Sequence, residues 1–130
     1  MKINKELLDN LTAQAKANPR LRQSFDLRTT SEDNSQRMLN AMEPGTVMPI
    51  HRHRNTSETM VMVRGKLIER LYDDVGNLTD EIVMEPCGEY PIIQIEAGLW
   101  HSLEVLESGT VIFEAKDGKY MPLGEEDIIQ

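Results

Sequence analysis

A chain of 130 residues with 39% hydrophobic and 28% charged residues suits a single domain that buries its own core without staples. Its formal net charge of -8 argues against general nucleic-acid affinity, because phosphate binding draws on clustered Lys and Arg; a small anion would have to be held by local attraction. The one cysteine, Cys87, forbids an intrachain disulfide, and no apolar run approaches the ~20 residues a bilayer span needs, so no membrane partner and a cytoplasmic location are expected.

Asn4 can cap a helix over residues 5–17, in which Leu7, Leu8, Leu11 and Ala15 form one apolar stripe. Asn18-Pro19 ends it, since the residue before proline avoids the helical region. Residues 20–35 are polar, with Leu21, Phe25 and Leu27 as anchors, and read as a connector carrying a short helix or an edge strand. From residue 36 onward, strand-length segments alternate with turn signals: QRMLNAM, TVMPIHRH, TMVMVRGKLIERLY, LTDEIVM, EYPIIQI, LWHSLEVL and TVIFEAK. No long helix separates them, so the expected class is all-β, a sandwich or barrel of antiparallel strands with a short N-terminal helical segment. The division expected is residues 1–35, helix and connector packed on the barrel, and residues 36–130, the barrel itself, within one domain overall.

The chemistry concentrates in HRHRNTSE, residues 51–58. Side chains alternate faces along a strand, so His51 and His53 share one face while Arg52 and Arg54 share the other. After a turn at Thr56-Ser57, Glu58, Met60, Met62 and Arg64 share a face of the next strand, and a hairpin folding back brings Glu58 to the histidines. His101, the remaining histidine, follows the turn at Ala97-Gly98. Three neutral imidazoles and one carboxylate suit a divalent first-row metal such as zinc, iron, manganese or nickel, with positions left over for water or substrate.

Gly45, His51, His53, Glu58 and Gly65 together resemble the first cupin motif in full, and Gly98-Leu99-Trp100-His101 resembles the second. Glu96 stands where that second motif usually has proline, and Glu104 and Val105 lie near the place of its late asparagine. The run LRTTSEDNSQRMLNAMEPGTVMPIHRHRNTSETMVMVRGKL, extended by FEAKDGKYMP, is similar to the WbuC-like cupin-fold metalloproteins, often encoded with O-antigen or surface-polysaccharide genes. The resemblance implies a cupin jelly-roll barrel with one divalent metal held by His51, His53, Glu58 and His101. It implies much less about reaction, because the fold hosts isomerases, epimerases, dioxygenases, decarboxylases, sensors and storage proteins.

Around that site, Arg64 is expected to follow the inward parity of Glu58 and to offer two parallel hydrogen bonds to a substrate carboxylate or phosphate. Met60 and Met62 could form a soft pocket wall, and Arg28, Gln36 and Arg37 could reach the barrel mouth. Trp100 should face away from His101. No catalytic residue beyond the ligands is legible. The expected function is a metal-dependent isomerase or epimerase acting on a small sugar or nucleotide sugar in surface-polysaccharide biosynthesis. The alternatives are a metal-dependent dioxygenase, a non-catalytic ligand-binding or regulatory cupin, and a metal-free pocket pairing a histidine with Tyr72, Tyr90 or Tyr120. A homodimer through sheet faces is compatible with the apolar strands.

Overall fold

The computed structural model of the chain describes residues 1–129. Helix α1 spans Lys5–Ala17, as its stripe predicts. The Asn4 side chain accepts the Leu7 N–H at 2.9 Å, which satisfies one of the free donors at the helix start. Leu11 and Ala15 are buried against Leu39, Ala41 and Val111, with Leu7, Leu8, Phe25 and Phe113 completing the cluster. The helix therefore covers the outside of a sheet and lies away from the predicted ligands.

The strands are β1 (Arg22–Asp26), β2 (Ser35–Met42), β3 (Ile50–His51), β4 (Glu58–Arg64), β5 (Leu67–Tyr72), β6 (Leu78–Met84), β7 (Ile92–Ile95), β8 (Trp100–Val105), β9 (Thr110–Asp117) and β10 (Ile128–Ile129). They form two five-stranded antiparallel sheets, ordered β1-β2-β9-β4-β7 and β10-β3-β8-β5-β6. The sheets face each other across a core of Met42, Met60, Met62, Leu67, Met84, Ile95, Leu103, Val105 and Ile112. This all-β, jelly-roll arrangement with one N-terminal helix is the class the turn spacing predicts.

The connector over residues 20–35 contains the edge strand: β1 pairs with β2 in the register Arg22 with Met42 through Asp26 with Met38, and so joins the barrel sheet. The expected long strand TVMPIHRH is only two residues in the structure, Ile50–His51, because Pro49 has no N–H to give a ladder. His53 lies past the strand, on the loop to β4.

Arg64 departs from the reading made for it. The register of β4 against β9 shifts between Met62 and Arg64, so strict alternation fails at the strand end. Arg64 donates from Nε to the Gly109 carbonyl at 2.8 Å, from Nη1 to Asp9 at 2.7 Å and from Nη2 to the Thr12 hydroxyl at 2.9 Å. It ties α1 to the barrel and takes no part in the central cavity.

Candidate metal centre

His51, His53 and His101 converge although they come from three segments. Antiparallel pairing sets His51 directly opposite His101. The Gly98 N–H donates to the His53 carbonyl at 2.8 Å, and this bond pins the turn before β8 to the loop after β3. One ligand atom from each ring lies within 4.8 Å of the others. Across the barrel, β4 delivers Glu58, whose Oε2 is 3.6 Å from His53 Nε2 and 3.7 Å from His101 Nε2.

Those separations are too long for hydrogen bonds. Two ligand atoms each about 2.1 Å from one tetrahedral ion lie about 3.4 Å apart, so the spacing fits a shared cation. The His51 Nδ1 is 2.9 Å from the Pro49 carbonyl and the His101 Nδ1 is 2.9 Å from Glu69 Oε1. Each Nδ1–H donates there, which leaves the Nε2 lone pair facing the centre. Glu58 Oε2 and His101 Nε2 are buried without a hydrogen-bond partner. Buried polar atoms are rarely left so, and a cation between them would satisfy both. The donor set fits a divalent metal.

Burial favours the neutral rings. It lowers His51 from 6.5 to about 4, with the His101 charge adding; it lowers His101 to about 4; and it lowers His53 to about 3, with Lys116 next. Burial acts oppositely on the acids: it pushes Glu58 well up, helped by Glu114, and does the same to Glu69.

The signs predict a pH profile for the protein held free of metal by a chelator. The histidines are depressed from 6.5, so the stability they allow is complete above that pH and is lost as pH falls through about 4 and 3. The glutamates are raised from 4.5, so their contribution is complete below that pH and is lost as pH rises through their folded values. The histidine contribution is constant above 6.5, so a change from these groups there belongs to the carboxylates. The thermal midpoint should decline on the alkaline side, and Glu69→Gln, which cannot ionise, should decline less. Equal slopes for the two proteins would contradict the assignment.

Glu69 contacts the candidate site although the sequence does not single it out. It is 0% exposed on β5, and it fixes the orientation of His101. Its signal was present: in KLIERLY an acid occupies the inward parity between Leu67 and Leu71.

A cavity of about 310 Å³ opens above the histidines. Met60 and Gln36 line it, as do Met48, Ser102, Asn40, Glu114, Lys116, Arg20, Arg22 and Tyr120. Met62 is packed in the core instead. Arg37 bonds Ser35, the Leu27 carbonyl and Asp33, and Arg28 pairs with Asp26, so neither faces the cavity. Arg52 and Arg54 turn away from the histidines to Asp127, and Arg52 stacks 4.5 Å from the centroid of Trp100. Of the three tyrosines, Tyr120 lines the cavity, Tyr72 contacts the Ser102 hydroxyl at 3.2 Å and Tyr90 is exposed. Cys87 is exposed and free.

Two antiparallel sheets closed over a pocket at one end, with the first motif's histidines on β3 and the loop after it, define a cupin-fold protein. The chain belongs to the family described as a domain of unknown function, DUF6016, whose model matches residues 3–84. No curated protein matches it. Solved structures resemble it at the level of fold. KdgF from Halomonas sp. is 14% identical, with a TM-score of 0.63 over 79% of this chain and 84% of that one. The Cnp3 cupin domain of Schizosaccharomyces pombe is 11% identical, with a TM-score of 0.60 over 75% of this chain and 64% of that one. The capsular polysaccharide assembling protein CapF from Staphylococcus aureus is 21% identical, with a TM-score of 0.61 over 80% of this chain but only 29% of that one. No helix of the described residues is long and apolar enough to cross a membrane.

Proposed function

We propose that the chain is a metal-dependent enzyme of WbuC-like type acting on a small sugar-related molecule, with His51, His53, Glu58 and His101 as the ligands of one divalent ion. The observation that carries this reading is the convergence of three imidazoles and a buried Glu58 oxygen without a hydrogen-bond partner at the base of a ligand-sized cavity. A bound ion would supply Lewis acidity for polarising a carbonyl or hydroxyl oxygen there.

The chain's own groups supply the rest. Glu69 orients His101 through its Nδ1–H. Glu114 opens on the same cavity, held by the Asn40 amide at 3.0 Å, and is placed to accept a proton from a bound substrate. Met48, Met60 and Leu103 supply apolar lining that would exclude water. The sugar-related assignment leans on the WbuC-like run in the sequence. It also leans on a fold neighbour whose own description is capsular polysaccharide assembly.

The test is turnover of nucleotide sugars by protein loaded separately with zinc, manganese, nickel and ferrous iron. Isomerised or epimerised product with one of these metals is expected, together with its loss in Glu114→Gln. Tight reversible binding with no product from any of the panel would make the protein a non-catalytic ligand-binding cupin.

A further inference from the structure

Cations are scarce on this chain, and almost every arginine is already committed. Arg28, Arg37, Arg52, Arg54, Arg64 and Arg70 each reach an Asp or Glu. Among the described residues, Arg20 and Arg22 have no carboxylate within ion-pair distance, and both line the central cavity. Lys116, a third cation of the cavity, is likewise without an acidic partner, whereas Lys66 and Lys119 have one.

The backbone between the two arginines is unusual. Leu21 has φ of 57°, the left-handed region that non-glycine residues seldom adopt, and it is the one non-glycine residue to do so among those described. Its N–H donates to the Asn18 carbonyl at 2.8 Å and its carbonyl accepts the Glu43 N–H at 2.9 Å, so the kink is locked on both sides. Arg20 and Arg22, two positions apart on either side of the kink, both line the cavity. Arg22 is half-buried there, and its only polar side-chain contact is the Met48 sulfur at 3.4 Å. Burial and the charge of Arg20 both lower its pKa, with Glu114 a lesser opposing influence. Two like charges held together in a partly desolvated place are stabilised by an anion between them.

One cavity joins this cationic mouth to the histidines. Lys116 stands opposite both Gln36 and Glu58, at the metal-ligand end, whereas Arg22 stands opposite Met42, six residues along β2. A molecule that spans the cavity from the histidines has Lys116 beside its inner end and Arg20 and Arg22 at its far end.

We infer that Arg20 and Arg22 form an anion-binding subsite, and that the ligand of the cavity carries a carboxylate or a phosphate on its outer end while a neutral oxygen-bearing part faces the histidines. This inference deepens the proposed function and rests on the same cavity. It gives a chain of net charge -8 the local attraction for a small anion that its overall charge opposes.

The experiment is calorimetric titration of the protein as purified with three probes: glucuronate, glucose 1-phosphate and uncharged glucose. At least one anion is expected to bind about tenfold or more tightly than glucose, with an affinity that falls as salt rises. Arg22→Gln should abolish most of that preference while keeping the wild-type metal content by elemental analysis, and Arg70→Gln, a cation on the outside of the barrel, should leave it intact. The two anions tell a carboxylate subsite from a phosphate subsite. Equal binding of anions and glucose, no binding of either anion, or an undiminished preference in Arg22→Gln would overturn the inference. Elemental analysis keeps the two readings apart: metal present without anion preference sinks this inference alone, and anion preference without metal sinks the metal centre alone.

Discussion

Replacing His101 with alanine should strip the metal from the protein and also weaken the fold when no metal is present. The first effect follows from convergence: His101 Nε2 faces Glu58 and has no other partner. Losing one of four ligands should reduce metal content to a small fraction of wild type, and His51→Ala and His53→Ala should act in the same direction. The second effect follows from Glu69. Its Oε1 accepts the His101 Nδ1–H at 2.9 Å, and its Oε2 has no partner, so the alanine variant leaves a fully buried carboxyl group with none. An orphaned buried polar group costs about 1–3 kcal/mol, and the cavity left by the ring adds to it. Urea unfolding in the presence of chelator should therefore show a loss for His101→Ala that exceeds the loss for His53→Ala, whose ring is more exposed. Full metal content in all three variants would refute the ligand assignment.

Gly65→Ala should be among the most damaging single substitutions in the chain. Gly65 joins β4 to β5 with φ of 86°, a region that costs an alanine strain. A Cβ there would also lie 2.5 Å from the Thr110 Cα, which is backbone and cannot rotate aside. Thr110 is fully buried; its hydroxyl accepts the Lys66 N–H at 3.1 Å and donates to the Glu107 carbonyl at 2.7 Å. The turn is thus clamped to the start of β9. The expected cost is about 3 kcal/mol in urea unfolding. A change below about 1 kcal/mol would show that the turn relaxes more freely than its contacts indicate.

The same two positions show why much of the fold and site was legible from sequence. Turn glycines and alternation carry their message locally, so Gly65, the helix cap at Asn4 and the shared faces of His51 and His53 could be read residue by residue. Glu58 does meet the histidines, but across the barrel and not through the hairpin that the turn at Thr56-Ser57 suggests, because β3 and β4 belong to opposite sheets. What could not be read is what long-range packing decides. Arg64 was assigned by parity, and parity fails at a bulge that one-dimensional alternation does not reveal. Glu69 was overlooked because its partner lies 32 positions away. Arg20 and Arg22 looked like an ordinary charged connector; only the pairing of β1 with β2, and the committed state of the other arginines, sets them apart.

The central claim is that His51, His53, Glu58 and His101 share one ion. Crystals of the protein purified without added metal, measured above and below the absorption edge of whichever element analysis finds, test it most directly. The account predicts one anomalous peak per chain, within about 2.0–2.2 Å of three imidazole nitrogens and a Glu58 oxygen. No peak between those residues, or an ion held elsewhere while Glu58 and the rings are joined only by water, would contradict it.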